Sequence, residues 1–225
     1  MMRKAVPLTR RRLIGASLVA GGLVAARVSP ALAALGVATP PQTMGPFYPR
    51  EKPLDVDNDL TRIGEGGLAA GTLIHVVGRV VDTGGRAVTG AVVEIWQADA
   101  SGRYHYVDDG RDVPMDINFQ GYGHDTTDHE GAYRFLTIQP PPYPASASWM
   151  RPAHIHFRVS GPGFERLATQ LYFAGDPHLA TDRVFNAIRD PDARASVVVR
   201  VEAPAAGLEP AAGVCRFEIV LGNPV

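Results

Sequence analysis

The chain has 225 residues, 45% hydrophobic and 20% charged, an ordinary globular composition with enough apolar mass for one sizeable core. A formal net charge of −1 carries neither a basic stripe for nucleic acid nor an acidic disordered tail. The single cysteine, Cys215, excludes an intramolecular disulfide, a Cys-rich zinc site and an iron–sulfur cluster, so any metal must be held by histidine and oxygen donors.

Residues 1–33 read as an export signal. Thr9-Arg10-Arg11-Arg12-Leu13 precedes an Ala/Gly/Leu/Val run to about Ala26, and Ala31-Leu32-Ala33 is a small-x-small cleavage site. The run is short and contains glycine, which is too weak for a stable membrane span in the mature form. The pair Arg10-Arg11, with Leu13 two places on, resembles a twin-arginine signal. The expectation is a bacterial protein exported to the periplasm or beyond; a general secretory signal or an uncleaved anchor is the alternative. No cysteine directly follows the cleavage site, which excludes a lipoprotein anchor.

Residues 34–70 read as an extended arm. Thr39-Pro40-Pro41-Gln42-Thr43-Met44-Gly45-Pro46-Phe47-Tyr48-Pro49 is denied helix by its prolines, by the residues before them and by its glycine. The body, 71–225, opens on a strand in which Leu73, His75, Val77 and Arg79 alternate with Ile74, Val76, Gly78 and Val80. Further strands are predicted over 91–96, 132–138, 154–160, 167–173, 196–202 and 214–221, and a short helix over 180–189. About seven strands with glycine- and proline-rich turns between them predict an all-β fold: a single antiparallel β-sandwich with long active-site loops. Cys215 sits in the last alternating run and reads as a buried structural thiol.

The chemistry gathers in Trp149-Met150-Arg151-Pro152-Ala153-His154-Ile155-His156-Phe157. Successive strand side chains point to opposite faces, so His154 and His156 share one face and can bind one metal ion. Taken alone, a His-x-His pair is more often two hydrogen-bonded strand residues. Two loop tyrosines change the balance. Tyr104 follows the strand ending at Trp96, and Tyr143, flanked by Pro142 and Pro144, follows the strand ending at Ile138. Two phenolates and two imidazoles favour Fe(III) over Zn(II), because phenolate is a hard anionic donor that a metal must stabilise. His105 and Tyr106, next to Tyr104, are candidates to line the same pocket. Asp108-Asp109-Gly110-Arg111-Asp112 lacks calcium-loop spacing and reads as a solvated loop near the site's mouth.

With these motifs in hand, the chain resembles the intradiol ring-cleavage dioxygenases, nearest the protocatechuate 3,4-dioxygenase β-type subunit. The resemblance is carried by Thr39 to Pro46, Val93-Glu94-Ile95-Trp96-Gln97-Ala98-Asp99-Ala100-Ser101-Gly102-Arg103-Tyr104, Pro142-Tyr143-Pro144, Trp149 to Phe157 and Thr169-Gln170-Leu171-Tyr172-Phe173. It implies a non-haem Fe(III) held by Tyr104, Tyr143, His154 and His156, with Arg151 as the active-site arginine and Gln170 beside it. It further implies that Tyr143 takes a proton from the substrate. The implied reaction opens a catechol-type, protocatechuate-like ring with O2 between its two hydroxylated carbons, giving a cis,cis-muconate. Protocatechuate enzymes pair unlike subunits, and one sequence leaves open self-assembly or a second subunit. Residues 33–72 are too short and Pro-rich for the helical dimerisation domain of the catechol enzymes. The rival reading is a non-catalytic secreted module: Val81 to Val88 and Thr127 to Tyr133 resemble turns of transthyretin-like and carboxypeptidase-regulatory sandwiches.

Overall fold

A computed structural model describes residues 36–106 and 112–222. The segment read as an export signal and the 108–111 part of the acidic loop lie outside them. In chain order the strands are β1 (Leu73–Asp82), β2 (Val92–Trp96), β3 (Tyr122–Thr126), β4 (Ala132–Ile138), β5 (Tyr143–Ser146), β6 (Trp149–Arg151), β7 (His154–Ser160), β8 (Leu167–Phe173), β9 (Val198–Val199), β10 (Val201–Glu202), β11 (Gly213–Arg216) and β12 (Ile219–Leu221). One helix, α1 (Pro191–Ser196), precedes β9. Among the described residues no helix is long and apolar enough to cross a membrane.

Two five-stranded sheets face each other. The first runs β10-β11-β1-β12 with β4 on β1; the second runs β3-β2-β7-β8-β9. The hairpin β5-β6 stands apart. The expected sandwich is present, but its sheets are mixed: β1 is parallel to β11 and β12, and β8 is parallel to β9. Between the sheets lie the fully buried Val76, Val80, Ile95, Phe135, Ile155, Phe157, Leu171 and Phe217. Cys215 is buried among them, and burial pushes its thiol up to about 12, which fits a structural role.

Three expectations are corrected. The helix predicted over 180–189 is two 3₁₀ turns, Leu179–Thr181 and Phe185–Ala187. Asn186 Nδ2 donates to the carbonyls of Leu179 and Asp182, and Asp182 Oδ1 accepts from Phe185 N, so side chains take the place of the regular helical ladder. The helix comes later, where Asp190 caps Ala193 N at 2.8 Å and Pro191 sits in the first turn. The strand predicted over 196–202 is split: α1 occupies its start, β9 joins β8 and β10 joins β11.

The strand predicted over 214–221 is also split, and the cause is a close backbone approach. Phe217 N donates to Val77 O at 2.9 Å, and Tyr133 Oη donates to Phe217 O at 2.6 Å. This carbonyl lies over Gly78: a Cβ there would sit 1.8 Å from Phe217 O. Only glycine allows β1 to hold β11 and β12 in succession along one edge. Gly78→Ala is therefore expected to lower stability by about 3 kcal/mol or more, read as a lower urea midpoint at unchanged slope.

The arm is extended and crosses both sheets. Thr39 N donates to Val220 O at 2.9 Å, and Gln42 N donates to Ala168 O at 2.7 Å. Further along, Tyr48 Oη and Lys52 Nζ reach Glu94 Oε1 at 2.9 and 2.7 Å. Burial alone would raise the Glu94 carboxyl, but Lys52, Tyr122 and Tyr48 hold it below its ordinary range. The arm is thus fastened on either side of its Gly45-Pro46-Phe47 segment.

Candidate active site

β7 turns its two faces to different dry environments. Ile155, Phe157 and Val159 enter the core at 0% exposure, while His154 and His156 face away and are covered by the arm and loops. Strand register then supplies the neighbours. His156 stands opposite Trp96 on β2 and Gln170 on β8, and His154 stands opposite Tyr172 on β8. In the hairpin, Tyr143 stands opposite Arg151.

His154 Nδ1 is 2.7 Å from Pro152 O. A carbonyl only accepts, so Nδ1 carries the proton and Nε2 presents its lone pair. That Nε2 lies 3.5 Å from Tyr104 Oη. His156 is stacked on the Trp96 indole at 4.9 Å and 8°, and its buried Nδ1 has no hydrogen-bond partner. A Cβ at position 45 would lie 3.3 Å from His156 Cε1, and Gly45 has φ +67°, so the arm passes tightly over this ring. The two imidazole centroids are 4.8 Å apart, and Tyr143 is 5.5 Å from His154 and 5.6 Å from Tyr104. The structure therefore brings Tyr104, Tyr143, His154 and His156 together.

Tyr104 is aimed by its loop. Asp99 Oδ1 accepts from Ser101 N, Ser101 Oγ and Arg103 N, and Asp99 Oδ2 is 3.0 Å from His105 Nε2. Burial would raise the Asp99 carboxyl, but these donors, His105 foremost, hold it well below the usual range. His105 thus faces Asp99, and Tyr106 donates to Gln120 O; neither is among the residues lining the cavity described below. Phe47 of the arm stacks on Tyr104 at 4.4 Å and fixes the ring plane.

Arg151 is buried and its geometry is locked. Its Nε donates to Asp182 Oδ2 and its Nη2 to Gln170 Oε1, both at 2.7 Å. Burial disfavours its charge, but Asp182, with Tyr143 and Tyr172, more than offsets this and keeps it protonated. Gln170 is held in turn: its Nε2 donates to Thr43 O at 2.9 Å, and Tyr172 Oη donates to its Oε1 at 3.1 Å. A further contact joins the guanidinium to the Tyr172 hydroxyl. Asp182, Asp99 and Phe47 were not legible as site residues in the sequence. For Asp182 the one signal was an acidic residue in a segment read as helix.

A cavity of about 320 Å³ opens beside Tyr143 and Arg151, roofed by Thr43 and Gly45 to Phe47 of the arm and walled by Trp149 and Val184. Among the described residues no group of three or more His, Cys, Asp or Glu gathers to hold a metal, so a metal centre here needs the tyrosines. The donor set fits a hard trivalent ion: two imidazoles kept neutral by burial and two phenols able to become anionic ligands.

A model of the family described as "Dioxygenase" matches residues 43–223. Among curated proteins, the protocatechuate 3,4-dioxygenase beta chain of Burkholderia cepacia is 48% identical over 145 residues, covering 62% of this chain and 61% of the relative. The 6-chlorohydroxyquinol 1,2-dioxygenase of Cupriavidus pinatubonensis is 36% identical over 166 residues, covering 65% and 55%. The chain thus spans about three fifths of the length of these relatives. Among solved structures, the dioxygenase domain of a carbohydrate-binding fusion protein from Streptomyces sp. SirexAA-E superposes with a TM-score of 0.61 at 29% identity, covering 83% of this chain and 99% of that one. Hydroxyquinol 1,2-dioxygenase from Pseudomonas putida DLL-E4 gives 0.64 at 28% identity, covering 82% and 66%.

Two outcomes are expected from this geometry. Asp182→Asn strands a buried guanidinium and should cost about 3 kcal/mol or more in urea unfolding. The second concerns acid. Burial, then Arg151, lowers His154 from 6.5 to about 3, and burial, then His154 and Arg151, lowers His156 well below 6.5. The unfolded chain binds these protons near pH 6.5 and the folded chain does not, so metal-free protein should lose stability as pH falls from about 6.5 toward 3. Urea midpoints at pH 7 and pH 5 measure the loss, which should shrink in a His154→Asn/His156→Asn variant.

Proposed function

The chain belongs to the dioxygenase family, and from that premise we propose that it opens a catechol-type ring with O2 between the two hydroxylated carbons, giving a cis,cis-muconate. The observation that supports this most is the convergence of two phenols and two imidazoles beside a cavity walled by Tyr143 and Arg151. A non-catalytic binding sandwich has no use for that convergence. Tyr104, Tyr143, His154 and His156 would hold a non-haem ferric ion. When bound, that ion supplies Lewis-acid activation of the ring and a template for the substrate oxygens.

The remaining work falls to the chain. The arm and Trp149 keep water from the ring. Tyr143 Oη, at the cavity wall, receives a phenolic proton from the substrate. Arg151 lines the cavity, and its positive charge would stabilise the negative charge that develops on the ring oxygens. Asp182 and Gln170 hold the guanidinium plane so that no reorganisation is needed as that charge grows. The relatives' names point to protocatechuate, hydroxyquinol and catechol rings, and this chain's substrate belongs to that class. The signal-like segment read over residues 1–33 supports a reaction outside the cytoplasm.

Iron-loaded protein is expected to be burgundy from tyrosinate-to-iron charge transfer and to consume O2 with a catechol, releasing a ring-opened acid. His156→Ala should lower turnover about a hundredfold or more. A colourless iron-loaded protein, or full activity in His156→Ala, would overturn the proposal.

A further inference from the structure

Beyond the cavity lies a larger hollow. A groove of about 650 Å³ runs between the arm at Pro40 to Thr43 and the segment from Arg183 to Ala193. Thr43 and Val184 line both spaces, so the two are neighbours across these side chains. Pro41, Ala187 and Ile188 make the groove mostly apolar, and Arg183 and Arg189 line it.

The two spaces differ in charge. In the inner cavity the one cation among the described lining residues, Arg151, is bridged to Asp182, so its charge is already balanced. Arg183 is exposed and makes no ion pair with any described carboxylate. Its guanidinium is nevertheless placed, 5.2 Å from the ring of Trp149, the indole that walls the inner cavity. Asp190, the acid on the groove, is turned into the cap of α1. An inner space of about 320 Å³ is at the small end of ligand pockets, which run from about 300 to 1,000 Å³, and suits a single ring. A carboxylate attached directly to that ring would stay inside and meet an arginine already paired. A carboxylate at the end of an apolar substituent would leave past Val184 and meet Arg183.

We propose that the groove is the subsite for the ring substituent, and that Arg183 binds its anionic end. The substrate class is then a catechol with an extended apolar substituent ending in a carboxylate. This rests on the ring-cleavage proposal above and narrows it.

The test compares catechol, protocatechuate and 3,4-dihydroxycinnamate on iron-loaded protein, by oxygen uptake and by calorimetric binding without O2. The wild type should show a higher kcat/KM for dihydroxycinnamate than for protocatechuate. Arg183→Gln should lower the dihydroxycinnamate-to-catechol ratio of kcat/KM about fivefold, through KM, with a matching loss in anaerobic affinity. Ala187→Trp, which fills the groove from its exposed rim, should lower it further. An unchanged ratio and affinity in both variants, or a wild type that favours protocatechuate, would overturn the subsite. Binding of dihydroxycinnamate that depends on Arg183, with no ring opened by the wild type, would uphold the subsite and defeat the ring-cleavage proposal instead.

Discussion

Everything at this site depends on β7 being buried on both faces. A half-exposed strand tolerates polar residues on its wet side at little cost. Here the outward face is dry too, so His154 and His156 sit at 2% and 1% exposure with water excluded. Burying an imidazole without partners is costly unless it stays neutral and gains a ligand or a hydrogen bond. His154 has Pro152 O and, at 3.5 Å, Tyr104 Oη, while His156 Nδ1 has none. A one-residue slip of β7 would exchange the histidines for Ile155 and Phe157, so the core pins the register that builds the site.

Around this strand, the site is assembled by pairing more than by loop folding. Trp96, His156 and Gln170 lie side by side because β2, β7 and β8 are neighbours in one sheet. Tyr143 and Arg151 lie side by side because they pair across one hairpin. Only Tyr104 comes from an irregular loop, and there a buried carboxylate, Asp99, gathers the donors that give the loop its shape. The arm closes the assembly. Gln42 and Thr43 hold one side through Gln170 and Tyr172, Tyr48 and Lys52 hold the other through Glu94, and Phe47 between them presses on Tyr104.

The legible part of the site was the part written in local sequence. Alternation placed His154 and His156 on one face, proline flanks marked Tyr143 as fixed, and the Gly102-Arg103-Tyr104 turn marked the other tyrosine. β7 matched its predicted limits because it alternates cleanly, and β8 matched as a short apolar run buried on both faces. What escaped was long-range or strained. Asp182 lies 31 residues from Arg151, in a segment whose helix is undone by its own Asp182 and Asn186 side chains. The break between β11 and β12 depends on Gly78, whose need for an absent Cβ appears only when Phe217 O is seen above it. The parallel pairings of β1 were equally hidden, since alternation specifies a face and not a direction.

The central claim is that four side chains, Tyr104, Tyr143, His154 and His156, form one ferric site. Anomalous diffraction at the iron edge from crystals of iron-loaded protein tests it most directly. The account predicts a single strong peak per chain, within bonding distance of Nε2 of both histidines and Oη of both tyrosines. A peak elsewhere, or an iron bound without either tyrosine, would contradict it.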